Sequence, residues 1–180
     1  MLYICTMEQN VKRAAKYMSL LLRHCPEKEG LIMDKFGWVM IKQLIKVLNI
    51  TKDDLDEIVK EDNKQRFSFD TSKTKIRASQ GHSIAVDTQP TETKPPDILY
   101  HGTATRFLDS IYKTGINKGK RNHLHLSDDK ETATTVGSRH GTLYILEIDT
   151  KQMYKDGYKF YLSKNKVWLT DSVPTQYIKQ

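Results

Sequence analysis

Arg23, Arg77 and Arg139 each stand beside histidine, glycine or small hydroxyl residues, in Leu20-Leu21-Leu22-Arg23-His24-Cys25-Pro26, Ile76-Arg77-Ala78-Ser79-Gln80-Gly81-His82-Ser83 and Gly137-Ser138-Arg139-His140-Gly141. A guanidinium stays charged and offers a planar fork of donors that matches phosphate oxygens, so arginines in such settings suit a polyanion. Alone, Arg23 and His24 would simply cap a helix, because cations are favoured where unpaired carbonyls end it. It is the recurrence of the setting that points to chemistry. His123 and His125, with His101, offer three imidazoles. No carboxylate or cysteine is spaced to complete a metal set, so hydrogen bonding is expected of them and no metal. Cys25 follows His24, but neighbours at a helix end point apart and do not make a nucleophile–base pair.

The elements that must position these residues divide the chain in two. After Val11, Ala14, Ala15, Met18, Leu21 and Leu22, which recur at helical spacing, Pro26 stops the first helix. Ile41, Leu44, Ile45 and Leu48 form the apolar stripe of a second helix, and Thr51 with Asp54 resembles a capping box opening a third over Leu55, Ile58 and Val59. Arg66 to Phe69 and Thr74 to Arg77 alternate as a hairpin, with Phe67, Phe69 and Ile76 facing the core and Arg77 displayed on the opposite face. Three helices and a terminal hairpin predict a winged-helix module over residues 1–90.

Residues 91–96 lie in a proline-bearing stretch without apolar periodicity and read as a linker. From residue 97 to 180 a second, mixed α and β unit is expected, making the chain α+β. Ile98-Leu99-Tyr100 reads as a strand ending in a glycine turn at His101-Gly102-Thr103. Phe107 to Tyr112 predicts a helix stopped by Gly115, residues 123–127 a strand, 128–136 a helix, 143–148 a well-buried strand, and 160–169 a hairpin. Neither G-x-G-x-x-G nor G-x-x-x-x-G-K-[ST] is present, so neither a Rossmann nor a P-loop site is supported.

Composition narrows the partners. The chain has 180 residues, 38% hydrophobic and 28% charged, with a net charge of +7 and an isoelectric point near 9.3. No apolar run approaches the ~20 residues of a membrane span, and Leu2 to Cys5 is too short for a signal segment, so a cytoplasmic protein is expected, starting at Met1 or Met7. Cys5 and Cys25 form no disulfide framework. A basic chain without a basic amphipathic helix favours nucleic acid over a membrane surface. The halves hold 16 basic against 13 acidic residues before Asp97 and 13 against 9 from there on, so an anion site must be local.

These segments, with Tyr100-His101-Gly102-Thr103, His123-Leu124-His125-Leu126-Ser127 and Asp156-Gly157-Tyr158-Lys159-Phe160-Tyr161, resemble in order and spacing the RNA 2′-phosphotransferases, also called tRNA 2′-phosphotransferases. The resemblance implies a winged-helix RNA lobe followed by an ADP-ribosyltransferase-like lobe that binds NAD⁺. It implies removal of an internal 2′-phosphate from RNA, as at a tRNA splice junction, with NAD⁺ consumed. The phosphate attacks C1″ of the nicotinamide ribose, giving ADP-ribosylated 2′-phospho-RNA, and the 2″-hydroxyl then attacks phosphorus. RNA with a free 2′-hydroxyl, nicotinamide and ADP-ribose 1″,2″-cyclic phosphate are released. By the same resemblance Arg23, His24, Arg77 and Arg139 are the catalytic set, and His101, Gly102, Thr103, His125 and Ser127 hold NAD⁺, with no metal and a monomeric enzyme.

Two other functions fit parts of the pattern. One is an ADP-ribosyltransferase that stops after modifying a terminal phosphate of nucleic acid, and the other is a winged-helix regulator that senses NAD⁺ without turnover. An intact phosphate-handling set argues against the second, since a sensor needs none.

Overall fold

A computed structural model describes the backbone of residues 2–179 and the side chains of 11–139 and 141–179. The chain forms two compact units, 1–89 and 90–180.

In the first unit α1 (Leu2–Arg23) buries Met18, Leu21 and Leu22, and a short helical turn at Pro26–Glu29 follows it. β1 (Val39–Met40) leads into α2 (Ile41–Leu48), which buries Ile41 and Leu44. α3 (Lys52–Lys60) opens on the expected capping box: Thr51 Oγ1 accepts from the Asp54 amide at 3.1 Å, and the Asp54 carboxylate accepts from the Thr51 amide at 2.8 Å. Leu55 and Ile58 face the core, whereas Asp53, Asp56, Glu57 and then Glu61 are exposed, so the outer side of this helix is acidic. β2 (Phe67–Phe69) and β3 (Lys75–Ala78) make the hairpin, and β1 adds to the far side of β3, giving the antiparallel order β1-β3-β2. β3 is therefore a central strand. The expectation that Arg77 is displayed is wrong: it is 2% exposed, because residues 34–38, arriving from before β1, cover its face of the sheet.

The second unit begins inside the expected linker, where β4 (Thr91–Glu92) pairs with a later strand. β5 (Ile98–Ala104) runs straight through His101, Gly102 and Thr103. No turn forms there, because seven residues pair antiparallel with β8 (Leu143–Asp149), from Ile98 opposite Asp149 to Ala104 opposite Leu143. Between them lie α4 (Leu108–Thr114), β6 (Ile116–Asn117), β7 (Leu124–Leu126) and α5 (Lys130–Gly137), the last capped by Asp129, whose carboxylate accepts from the Thr132 amide at 2.6 Å. After β8 come α6 (Thr150–Lys155), β9 (Tyr161–Leu162), β10 (Trp168–Thr170) and β11 (Ser172–Val173). One sheet has the order β4-β9-β10-β7, β5 pairs with β8, and β6 with β11, every pair antiparallel. β8 is less buried than expected. Leu146 and Ile148 enter a core with Leu99, Leu126, Met153 and Phe160, while Tyr144 is exposed, the alternation of a strand with a single apolar face. No described helix is long and apolar enough to cross a membrane.

Candidate functional site

In the first unit the C-terminal end of α1 and the segment after β3 are stitched together. The Ser83 amide donates to the Arg23 carbonyl at 3.0 Å, satisfying one of the acceptors a helix end leaves open, and Ser83 Oγ lies 2.9 Å from His24 Nδ1, which fixes the imidazole. Gly81, at φ +88°, closes the approach. A Cβ there would stand 3.6 Å from Arg23 Nε, so the left-handed glycine lets the half-buried guanidinium lie along the loop.

Arg77 reaches the same neighbourhood from β3. Its Nη1 donates to the Phe36 carbonyl at 3.1 Å, and its Cζ lies 4.4 Å from the centroid of the Trp38 ring. Its Nε is buried and finds no acceptor among the described residues. No ion pair to Arg77 forms among them either: Asp34 and Asp87 favour its charge only at longer range, against the burial that disfavours it. A buried charged N–H without an acceptor costs about 1–3 kcal/mol, a penalty that a bound anion removes.

His82 is 2% exposed, and its Nε2 has no hydrogen-bond partner among the described residues. Burial first, then the charges of Arg23, His24 and Arg77, push its pKa down to about 4. The imidazole is therefore neutral at physiological pH, and Arg23, His24 and Arg77 lie close enough to it to act on its titration. The unfolded chain holds a histidine of ordinary pKa near 6.5, so below that value it takes up a proton the folded chain refuses. Stability from this group is complete above pH 6.5 and falls toward pH 4, by about 3 kcal/mol in all. His82→Gln is expected to flatten the melting-temperature profile between those values, and acid profiles parallel to wild type would refute this.

In the second unit Tyr100 and Ser127 exchange backbone hydrogen bonds of 2.8 and 2.9 Å, a bridge between β5 and the end of β7. Next to it, His101 Nδ1 lies 3.2 Å from the His125 carbonyl, and Arg121 Nη1 lies 3.2 Å from His125 Nδ1. An arginine can only donate, so that nitrogen accepts. His101 and Thr103 share one face of β5, and Gly102 turns to the other. The site of its absent Cβ is 1.9 Å from the Ala133 carbonyl oxygen, so α5 packs directly against the strand on that face. Arg139 is exposed on the helical turn Ser138–His140 after α5, and this unit, not the Arg23–Arg77 cluster's, carries it. Among the described residues no group of three or more His, Cys, Asp and Glu is arranged to hold a metal.

The structure thus gathers Arg23, His24 and Arg77 in one place, and His101, Thr103, His125 and Ser127 in another. Sequence reasoning reads residues 30–39 as an extended piece and turn but gives Asp34 and Trp38 no part in the site, and it does not foresee the neutrality of His82. The spacing Asp34-x-x-Gly37 is a turn signal that could have drawn attention to the first two.

Residues 8–172 match the family model described as RNA 2′-phosphotransferase, Tpt1/KptA family. The chain belongs to this family. It is 53% identical to a probable RNA 2′-phosphotransferase of Fusobacterium nucleatum, over 96% of this chain and 99% of the relative. Proteins of the same description from Hahella chejuensis and Flavobacterium johnsoniae are 51% and 50% identical, each over 96% of this chain and over 95% and 98% of themselves. Membership in the RNA 2′-phosphotransferase family thus spans both units, and the arginine cluster and the β5–β7 bridge both lie within the matched residues.

Proposed function

We propose that this chain removes an internal 2′-phosphate from RNA and consumes NAD⁺ in doing so. The first unit would serve as a winged-helix RNA lobe and the second as an ADP-ribosyltransferase-like lobe. The observation that carries the reading is Arg77: a buried guanidinium with a buried, unsatisfied Nε beside Arg23 and His24 is a preformed site for a phosphate dianion. Family membership makes the 2′-phosphate of RNA the natural occupant.

In this reading Arg23 and Arg77 hold the phosphate oxygens and fix the direction in which they can attack, which supplies rate through orientation. The same cations stabilise charge that develops at phosphorus later. His24, its ring oriented by Ser83, contacts the phosphate or carries a proton. Arg139 is the fourth member of the set. His101 and Thr103, with His125 and Ser127 across the β5–β7 bridge, are the residues to hold NAD⁺: the Tyr100–Ser127 bridge and the approach of His101 Nδ1 to the His125 carbonyl bring the two segments together. When bound, NAD⁺ supplies an electrophilic ribose carbon with nicotinamide as leaving group and a hydroxyl beside it.

The test is to incubate the protein with a short RNA bearing one internal 2′-phosphate, with and without NAD⁺, and weigh the products. The expected result is 2′-hydroxyl RNA, nicotinamide and ADP-ribose 1″,2″-cyclic phosphate, only with NAD⁺. A stable ADP-ribosyl ester on the RNA would favour a transferase that stops at modification, and NAD⁺ binding without any product would favour a sensor.

A further inference from the structure

Residues 34–38 form a tight turn organised by one carboxylate. Asp34 Oδ1 accepts from the amides of Phe36 and Trp38, both at 3.0 Å. The Asp34 amide donates to the Trp38 carbonyl at 3.0 Å, and the Gly37 amide donates to the Asp34 carbonyl at 2.9 Å. Gly37 sits at φ +81°, and a Cβ on it would meet His82 Nε2 at 3.6 Å, so the buried imidazole braces the turn from behind. The turn directs two groups at Arg77, the Phe36 carbonyl to Nη1 and the Trp38 ring to the guanidinium.

We infer that the Asp34–Trp38 turn, braced by His82, positions Arg77 for the phosphate: the carbonyl holds one edge of the guanidinium, the indole holds its plane, and Nε is left to the anion. The inference rests on the reading of Arg77 as a phosphate ligand. An arginine has many rotamers, and a site that must hold a dianion in line with a reacting carbon gains from having only one of them. Neither contact offers a competing negative charge. A carboxylate in place of the Phe36 carbonyl would neutralise the cation the phosphate needs, and Asp34 is instead occupied with two backbone amides and with Lys75, 3.5 Å away.

The experiment compares affinities for a short RNA with one internal 2′-phosphate and the same RNA with a 2′-hydroxyl, without NAD⁺, for wild type, Arg77→Ala, Trp38→Leu, Trp38→Phe, Asp34→Ala and Asp34→Asn. Each protein is first checked for folding by circular dichroism. Wild type should prefer the phosphorylated RNA and Arg77→Ala should lose that preference. Trp38→Leu and Asp34→Ala should each cut it about tenfold. Trp38→Phe keeps a ring face, and Asp34→Asn keeps the side-chain acceptor without the charge, so both should stay within about threefold of wild type. That rescue separates aiming from bulk packing and from charge. Arg77→Ala with an intact preference would overturn the site reading and the inference together. Preference lost in Arg77→Ala but kept in Trp38→Leu and Asp34→Ala would overturn the inference alone, as would equal losses in Asp34→Asn and Asp34→Ala. If Trp38→Leu does not fold, the Asp34 pair decides.

Discussion

Arg77→Ala lowers removal of the 2′-phosphate by about a hundredfold or more and leaves the melting temperature at or above that of wild type. The first part follows from losing a charge-assisted contact to a dianion, on the scale of losing one preorganised donor from a reacting oxyanion. The second part follows from what Arg77 gives up in the free protein. Its guanidinium is buried, has no carboxylate in ion-pair range among the described residues, and leaves Nε unsatisfied. Deleting it removes that penalty, and the relief offsets the lost stacking on Trp38 and the space left behind. Arg77→Lys is expected to fail as well, because an ammonium cannot reproduce the fork or the stacked plane. Single-turnover assays beside thermal melts separate the two effects. Near-normal turnover in Arg77→Ala would remove this residue from the site, and a large fall in melting temperature would show that the cluster is structural.

Gly102→Ala has the largest expected cost to stability, about 3 kcal/mol or more. The added Cβ would lie 1.9 Å from the Ala133 carbonyl oxygen, and the obstacle is helix backbone that cannot rotate aside. Gly137→Ala meets the same contact from the other side, 2.7 Å from the carbonyl carbon of Gly102 and 2.6 Å from Leu143 Cδ1. The two glycines let α5 rest on β5 without side chains between them. The chain has two tryptophans, Trp38 in one unit and Trp168 in the other. Fluorescence of a Trp38→Phe background therefore follows the second unit by itself. In that background Gly102→Ala is expected to melt about 12 °C or more below its parent. Melting with the parent would mean that the helix can shift, and that Gly102 serves something other than this contact.

Local pattern made several elements legible. α2 shows its stripe because Ile41 and Leu44 must face the core, α3 announces itself through Thr51 and Asp54, and the β2–β3 hairpin alternates around a polar turn. What escaped was non-local. Alternation puts Arg77 on the face opposite Ile76, yet whether that face is open depends on residues some forty positions earlier in the chain. Gly102 reads as a turn because glycine usually marks one, and only the packing of α5 shows it as a strand residue whose missing side chain is the point. Thr91 and Glu92 have no apolar pattern because a two-residue edge strand needs none to join a sheet. The candidate site was legible as a set of motifs. The neutrality of His82 was not, since it comes from burial among cations contributed by separate segments.

The acidic outer side of α3 bears on how a nucleic acid can be held. Were the first unit the proposed winged-helix RNA lobe, its third helix would present Asp53, Asp56, Glu57 and Glu61 to a duplex groove. Such a surface repels a polyphosphate backbone instead of displacing its counterions. In the proposed site attraction would be left to a few cations gathered at one point, so few counterions would be released on binding, and grip would depend only weakly on ionic strength. Under the proposed function an RNA would be seized by a single unusual phosphate rather than read along its length, and substrates unrelated in sequence would become equivalent.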